Sequence, residues 1–151
     1  MSDVKNPPDG YQRVIPYLSY RDAPAALDFL EQAFGFSRRF VMPMGDGRIG
    51  HAELELDGNA LLLASAFEEM GMSSPQKIGK THGQVLVYVD DVDAHCERAR
   101  AAGASITMEP TDQPHGDRSY RATDPEGHLW IFATHVRDVD LQAMLEAHQK
   151  G

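Results

Sequence analysis

Two hydrophobic periods alternate along the chain, and the switches between them mark its elements. From Ile49 to Leu56, Ala52, Leu54 and Leu56 fall on one face and His51, Glu53 and Glu55 on the other, the period-two pattern of a half-buried strand. Val14 to Tyr20 alternates in the same way, with Val14, Pro16, Leu18 and Tyr20 against Ile15, Tyr17 and Ser19. Pro16 places that segment at a sheet edge or at a strand start. Between these two strands Leu27, Leu30 and Phe34 recur at helical spacing. Asp22 precedes the run as an N-cap, Pro24 fits a first helical turn, and Gly35 stops it. Phe36 to Met44 reads as another strand, Asp46-Gly47 and Asp57-Gly58-Asn59 as turns, and Ala60 to Ala64 as an apolar strand.

Phe67 to Lys80 breaks the pattern. It is rich in Met, Ser, Gly and Lys, holds Pro75, and has no clear period, which suits a linker or mobile flap. The earlier order then repeats. Gln84 to Val89 reads as a strand, Asp91 or Asp93 caps a helix stopped by Gly103, and Ser105 to Met108 reads as the next strand. Thr111 to Arg118 reads as a polar loop, and Ser119 to Thr123 and Leu129 to Thr134 as a closing hairpin. In its turn, Asp124-Pro125-Glu126-Gly127, Pro125 fixes φ and Gly127 permits a positive φ. Each half is therefore β-α-β-β-β, an internal duplication. The predicted class is α+β, two βαβββ modules forming one domain. Residues 1–12 form a flexible tail, 13–66 the first module, 67–80 the linker, 81–135 the second module and 136–151 a C-terminal helix. On that helix Leu141, Met144, Leu145 and His148 share a face.

Composition narrows the classes. A hydrophobic fraction of 42% in 151 residues supports one core. The net charge of −9, with no basic cluster beyond Arg38-Arg39, argues against nucleic acid and agrees with a cationic ligand. No apolar run approaches the roughly 20 residues that span a bilayer, so no membrane partner is expected. The first residues carry no apolar signal core, and Cys96 stands alone, so a cytoplasmic location is the expectation.

Gly116-Asp117-Arg118, Asp124-Pro125, Gly127-His128 and Trp130, in that order, resemble the vicinal-oxygen-chelate superfamily of glyoxalases, bleomycin-resistance proteins, fosfomycin-resistance enzymes and extradiol dioxygenases. The wording is closer still to its glyoxalase-like branch associated with phosphonate operons. The resemblance runs from about Tyr11 to His135. It implies two half-barrel sheets around a shared cup, helices outside, and a homodimer to which the C-terminal helix can contribute. In that frame Val14, Leu18, Leu61, Leu63, Val85, Val87, Val89, Trp130 and Phe132 lie under the helices. Ile15, Tyr17, Ser19, His51, Glu53, Glu55, Leu62, Gln84, Leu86, Tyr88, Leu129 and Ile131 face the cup. The face of Ser119 to Thr123 stays undecided.

Metal-dependent members of the superfamily place His or Glu on the first, fourth, fifth and eighth strands. Aligning on the Asp after each opening strand, and on Gly58 and Gly127, puts Ile15, Leu62, Gln84 and Ile131 there. Three apolar side chains and an amide do not supply the donors a divalent metal requires. No metal and no cofactor are therefore expected. What remains is His51-x-Glu53, two side chains on one strand face: an acid–base pair, an atypical metal site, or a hydrogen-bonded patch of polar sheet. Tyr17, Ser19, Gln84, Tyr88, His115 and Arg118 complete the candidate ligand contacts. Tyr17, Tyr88 and Tyr120 can stack on a planar ligand or pack on sheet neighbours. His115 is a rim contact or a solvated loop residue. Arg118 either binds an anion or pairs with Asp117 or a cross-strand Glu. Cys96 reads as a small buried group, and His82, His95, His128, His135 and His148 as turn, surface or helix-end residues. The expected function is metal-independent binding or sequestration of a small molecule. The alternative is a lyase or isomerase using His51 and Glu53.

Overall fold

A computed structural model describes residues 4–150, and the chain divides into two compact units after Thr81. The first unit holds β1 (Tyr17–Tyr20), α1 (Ala23–Phe34), β2 (Ser37–Pro43), β3 (Ile49–Leu56) and β4 (Asn59–Ser65) in a sheet of order β1-β4-β3-β2. Only β1 and β4 pair in parallel. The Asp22 carboxylate accepts the Ala25 N–H at 3.1 Å to start α1, and Gly35, at φ 84°, ends it with its N–H on the Leu30 carbonyl. The helix buries Ala23, Ala26, Leu27, Leu30, Ala33 and Phe34 in a core with Leu54, Leu61 and Leu63 of the sheet. Asp57 and Gly58 both have positive φ, the conformation a two-residue hairpin needs, which locks the β3–β4 register.

The opening strand is shorter than its alternation predicts. Val14 is 86% exposed, not under a helix, and the ladder begins with the Pro16 carbonyl accepting the Leu62 N–H at 3.0 Å. Pro16 has no N–H to give, so alternation upstream of it has nothing to pair with. Between the units' sheets in sequence lie a 3-10 turn, Glu68–Met70, and the short helix α2 (Pro75–Ile78). Arg48 holds this segment, with its guanidinium 3.1 Å from Glu69 and 4.4 Å from the centre of the Phe67 ring.

The second unit repeats the topology: β5 (Gln84–Tyr88), α3 (Val92–Ala101), β6 (Ser105–Asp112), β7 (Asp117–Thr123) and β8 (Leu129–His135), in the order β5-β8-β7-β6. Asp91, not Asp93, caps α3, accepting the Ala94 N–H at 3.1 Å. The polar loop expected over 111–118 shrinks to 113–116, because β6 continues to Asp112 and β7 starts at Asp117. Polar composition misleads there because β6 is an edge strand, where polar side chains keep their water. Register shifts between Ile106 and Thr111 absorb its irregular pairing. Gly116 sits at φ 103° and has a second reason to be glycine: a Cβ on it would stand 2.1 Å from the Arg137 carbonyl.

Tyr120 pairs with Phe132 and is fully buried, which settles the undecided strand. Tyr120 and Arg118 take the helix side, while Ser119, Arg121 and Thr123 share the open face with Ala133, Ile131 and Leu129. The core here is aromatic. Trp130 stacks on Phe132 at 5.9 Å, Phe132 on Tyr120 at 5.3 Å, and the His95 ring lies 4.3 Å from Phe132. The turn that follows β7 is closed by Asp124. Its carboxylate accepts the Glu126 N–H at 3.0 Å, the His128 N–H at 3.1 Å and the Trp130 indole N–H at 3.1 Å. Helix α4 (Leu141–Lys150) ends the chain, with Leu141 and Leu145 exposed. Among the described residues no helix is long and apolar enough to cross a membrane.

Candidate functional site

Period two brings His51 and Glu53 together on the open face of the first sheet, with His51 Nε2 and Glu53 Oε2 2.8 Å apart. Strand order then adds Tyr17 from β1, whose hydroxyl lies 2.7 Å from His51 Nδ1. With Nε2–H donating to the carboxylate, Nδ1 accepts the phenol proton. Tyr11, ahead of the first strand, donates to the second Glu53 oxygen. Next to it, Gln12 bridges the Ala60 backbone with bonds of 2.7 and 2.8 Å. The result is one hydrogen-bonded chain, Tyr11–Glu53–His51–Tyr17.

Its electrostatics follow from these bonds. The Tyr11 hydroxyl, then the His51 ring, hold the Glu53 carboxyl below its ordinary range, so it is anionic at neutral pH. Burial, then the Glu53 charge, push the Tyr17 phenol up, so it keeps its proton. Arg39 lies 4.8 Å over the Tyr11 ring and pairs with Glu55 at 3.2 Å. Around the chain the face is apolar and open: Tyr17 is 48% exposed, Phe40 51% and Met42 47%.

The second unit centres its polar groups on a residue that sequence reasoning missed. Asp117 is buried on β7, accepts the Tyr88 hydroxyl at 2.8 Å, and lies 2.7 Å from His135 Nδ1. His115 Nε2 stands 3.5 Å from the same carboxylate, and His135 Nε2 is 2.8 Å from Asp138. Burial alone raises the Asp117 carboxyl, but the His135 and Tyr88 hydrogen bonds outweigh it and leave the group below its ordinary value. Asp117, then Asp138, raise His135. Of the other predicted residues, Ser19 is buried and Gln84 is exposed at the start of β5. Arg118 pairs with neither Asp117 nor a glutamate. It grips Asp93 of α3 with two bonds of 2.9 and 3.0 Å and reaches Asp112 at 3.3 Å. Tyr120 is core, hydrogen-bonded to His95 at 2.6 Å. Cys96 is buried, and burial raises its thiol.

Tyr11, Asp117 and His135 left no local signal. The pairs Tyr11–Glu53, Tyr88–Asp117 and Asp117–His135 lie 18 to 42 positions apart in sequence, and only the strand order brings them together. The positions at which the superfamily's metal-dependent members carry ligands do not fit a metal in this chain. Leu62 pairs with Tyr17, not with Ile15, and Ile131 with Leu86, not with Gln84, so the parallel strand pairs meet there through apolar groups and a phenol. Among the described residues no three His, Cys, Asp or Glu side chains gather to hold an ion.

Comparison with known proteins agrees with the topology. The family model described as Glyoxalase/Bleomycin resistance protein/Dioxygenase superfamily matches residues 13–132. An uncharacterized protein of Mycobacterium bovis is 35% identical over 142 residues, covering 90% of this chain and 93% of that protein. The crystal structure of TioX from Micromonospora sp. ML1 is 38% identical, with a TM-score of 0.68 over 83% of this chain and 99% of that one. A glyoxalase/bleomycin resistance protein/dioxygenase from Nocardioides, 22% identical, shares the fold with a TM-score of 0.59, over 85% of this chain and 86% of its own. The chain belongs to the glyoxalase/bleomycin resistance protein/dioxygenase superfamily.

Proposed function

We propose that the protein binds a small molecule without a metal, in the manner of sequestration, on the sheet face that carries Tyr11, Tyr17, His51 and Glu53. The observation that carries this reading is the hydrogen-bonded chain itself. Its polar groups are mutually satisfied and fixed, and they sit among exposed aromatic and thioether side chains. A few oriented polar groups in an apolar wall is what ligand recognition needs. The anionic Glu53, the Tyr17 and Phe40 rings and the net charge of −9 favour a planar, cationic ligand.

A thermal-shift screen of planar organic cations, followed by calorimetry, tests this reading. His51→Ala removes the link between Tyr17 and Glu53, and we expect it to weaken binding about tenfold. Unchanged affinity in this variant contradicts the assignment.

One observation favours a second reading, lyase or isomerase chemistry. Glu53, His51 and Tyr17 line up as an orienting carboxylate, a base and a protonated phenol. Under that reading Tyr17→Phe abolishes turnover and leaves ligand affinity nearly intact. Under the binding reading there is no turnover to lose. A cytoplasmic homodimer is part of the same proposal. It is supported by the exposed Leu141 and Leu145 on α4, and light scattering of the full chain tests it. Membership of the branch associated with phosphonate operons rests on the wording around Asp117 and Asp124 alone.

A further inference from the structure

The apolar part of the first sheet's open face carries a detail that the polar chain beside it does not explain. β2 and β3 keep step from Phe40 to Met42 and then slip: Met42 pairs with His51 and Pro43 with Ile49, so Gly50 is an extra residue in β3. Met42 and Met44 share a face because Pro43 lies between them, and Met42, as the partner of His51, makes that face the open one. Both side chains fold onto Gly50. A Cβ there would stand 3.1 Å from Met42 Cε, 3.4 Å from Met44 Cγ and 3.6 Å from Met44 Sδ. Gly50 is not among the glycines at positive φ, so its backbone does not call for glycine. What it does is leave room for two thioethers.

Those thioethers extend the exposed surface around His51. Phe40, Met42 and Met44 are each at least 40% exposed, and the Phe40 and Tyr17 rings lie 6.3 and 5.6 Å from the His51 ring. The Met44 N–H donates to the Arg48 carbonyl at 2.8 Å, so the hairpin fixes the Met44 backbone while its side chain stays in the open. From Phe40 to Met44 the strip runs four residues, about 13 Å at strand rise. That is longer than a single six-membered ring and suits about two or three fused ones. Thioethers are flexible and polarisable, and they make favourable contacts with aromatic rings. We propose, taking this face as the ligand site, that Met42 and Met44 seated on Gly50 form the wall that sets ligand size, and that it selects a fused aromatic ring system over a single ring. Gly50 is then the specificity-determining residue, because a larger side chain there displaces both thioethers and shortens the strip.

The test is calorimetric titration of the full chain with N-methylpyridinium, N-methylquinolinium and N-methylacridinium, planar monocations of one, two and three rings. The parent should bind at least one of the fused-ring cations about tenfold more tightly than N-methylpyridinium. Gly50→Val should cut that preference about fivefold and leave the affinity for N-methylpyridinium unchanged. Met42→Ala and Met44→Ala, at exposed side chains whose loss keeps the fold, should each cut it about threefold. A preference that persists in Gly50→Val or in both alanine variants, with binding still weakened by His51→Ala, overturns the wall and leaves the ligand reading standing. Equal affinity of the parent for all three cations, again sensitive to His51→Ala, does the same. No binding of any of the three, or binding indifferent to His51→Ala, overturns the ligand reading and the wall together.

Discussion

The two units share one topology and carry opposite chemistry on their open faces. Leu62 and Ile131 each stand four residues past a turn glycine, Gly58 and Gly127, and mark the same place in the two sheets. Across the first sheet at that level run Tyr17, Leu62, Glu53 and Phe40. Across the second run Leu86, Ile131, Arg121 and Met108. A carboxylate tied to a tyrosine and a histidine in one unit is matched by a guanidinium in the other, with no ion pair or hydrogen bond among the described residues. Four residues earlier on the same strands, Ile49 and Asp117 are both buried, one apolar and one the centre of a polar cluster. The helix-facing sides must bury apolar groups to form a core, and both do, with Arg118 on that side paired to Asp93 of α3. The open sides are under no such constraint, so duplication of the fold does not duplicate a site.

The cores differ too, and the largest expected effects lie there. Trp130→Ala should cost about 4 kcal/mol in urea denaturation, and Leu63→Ala in the aliphatic first core about 3 kcal/mol. A Trp130 cost below that of Leu63 would show that the aromatic stack packs less well than its distances suggest. Asp124→Ala leaves the Trp130 indole and two turn N–H groups without their acceptor. A loss of about 2 kcal/mol is expected by the same measurement.

Smaller, but specific to the second unit, is a pH dependence. The Asp117 carboxyl is lowered, so its stabilisation is complete above the ordinary carboxyl range and is lost as pH falls. His135 is raised, so its stabilisation is complete below the ordinary imidazole value and is lost as pH rises through the shifted one. The pair therefore contributes most between about pH 4 and pH 6.5. Urea midpoints across that range should fall away on both sides in the parent and lie flatter in Asp117→Asn. Parallel profiles would remove Asp117 from the account.

Much of the fold was legible because its signals are local. Caps at Asp22 and Asp91, the helix stop at Gly35, alternation over Ile49 to Leu56 and the Asp124 turn each lie within a few residues. The site was half legible for the same reason. His51 and Glu53 are two residues apart and show their pairing in the sequence, whereas Tyr11 and Tyr17 reach them only through strand order. Asp117 looked like loop because an edge strand beside it has no need of apolar residues, and Arg118 looked like a ligand contact until Asp93 claimed it.

The central claim is that the open face of the first sheet recognises a ligand without a metal. Its most direct test is the metal content of the full chain purified without chelator and without a metal-affinity tag. The account predicts less than about a tenth of an atom of any transition metal per chain. Close to one atom of Zn, Ni, Mn or Fe per chain, lost in His51→Ala or Glu53→Gln, would contradict it.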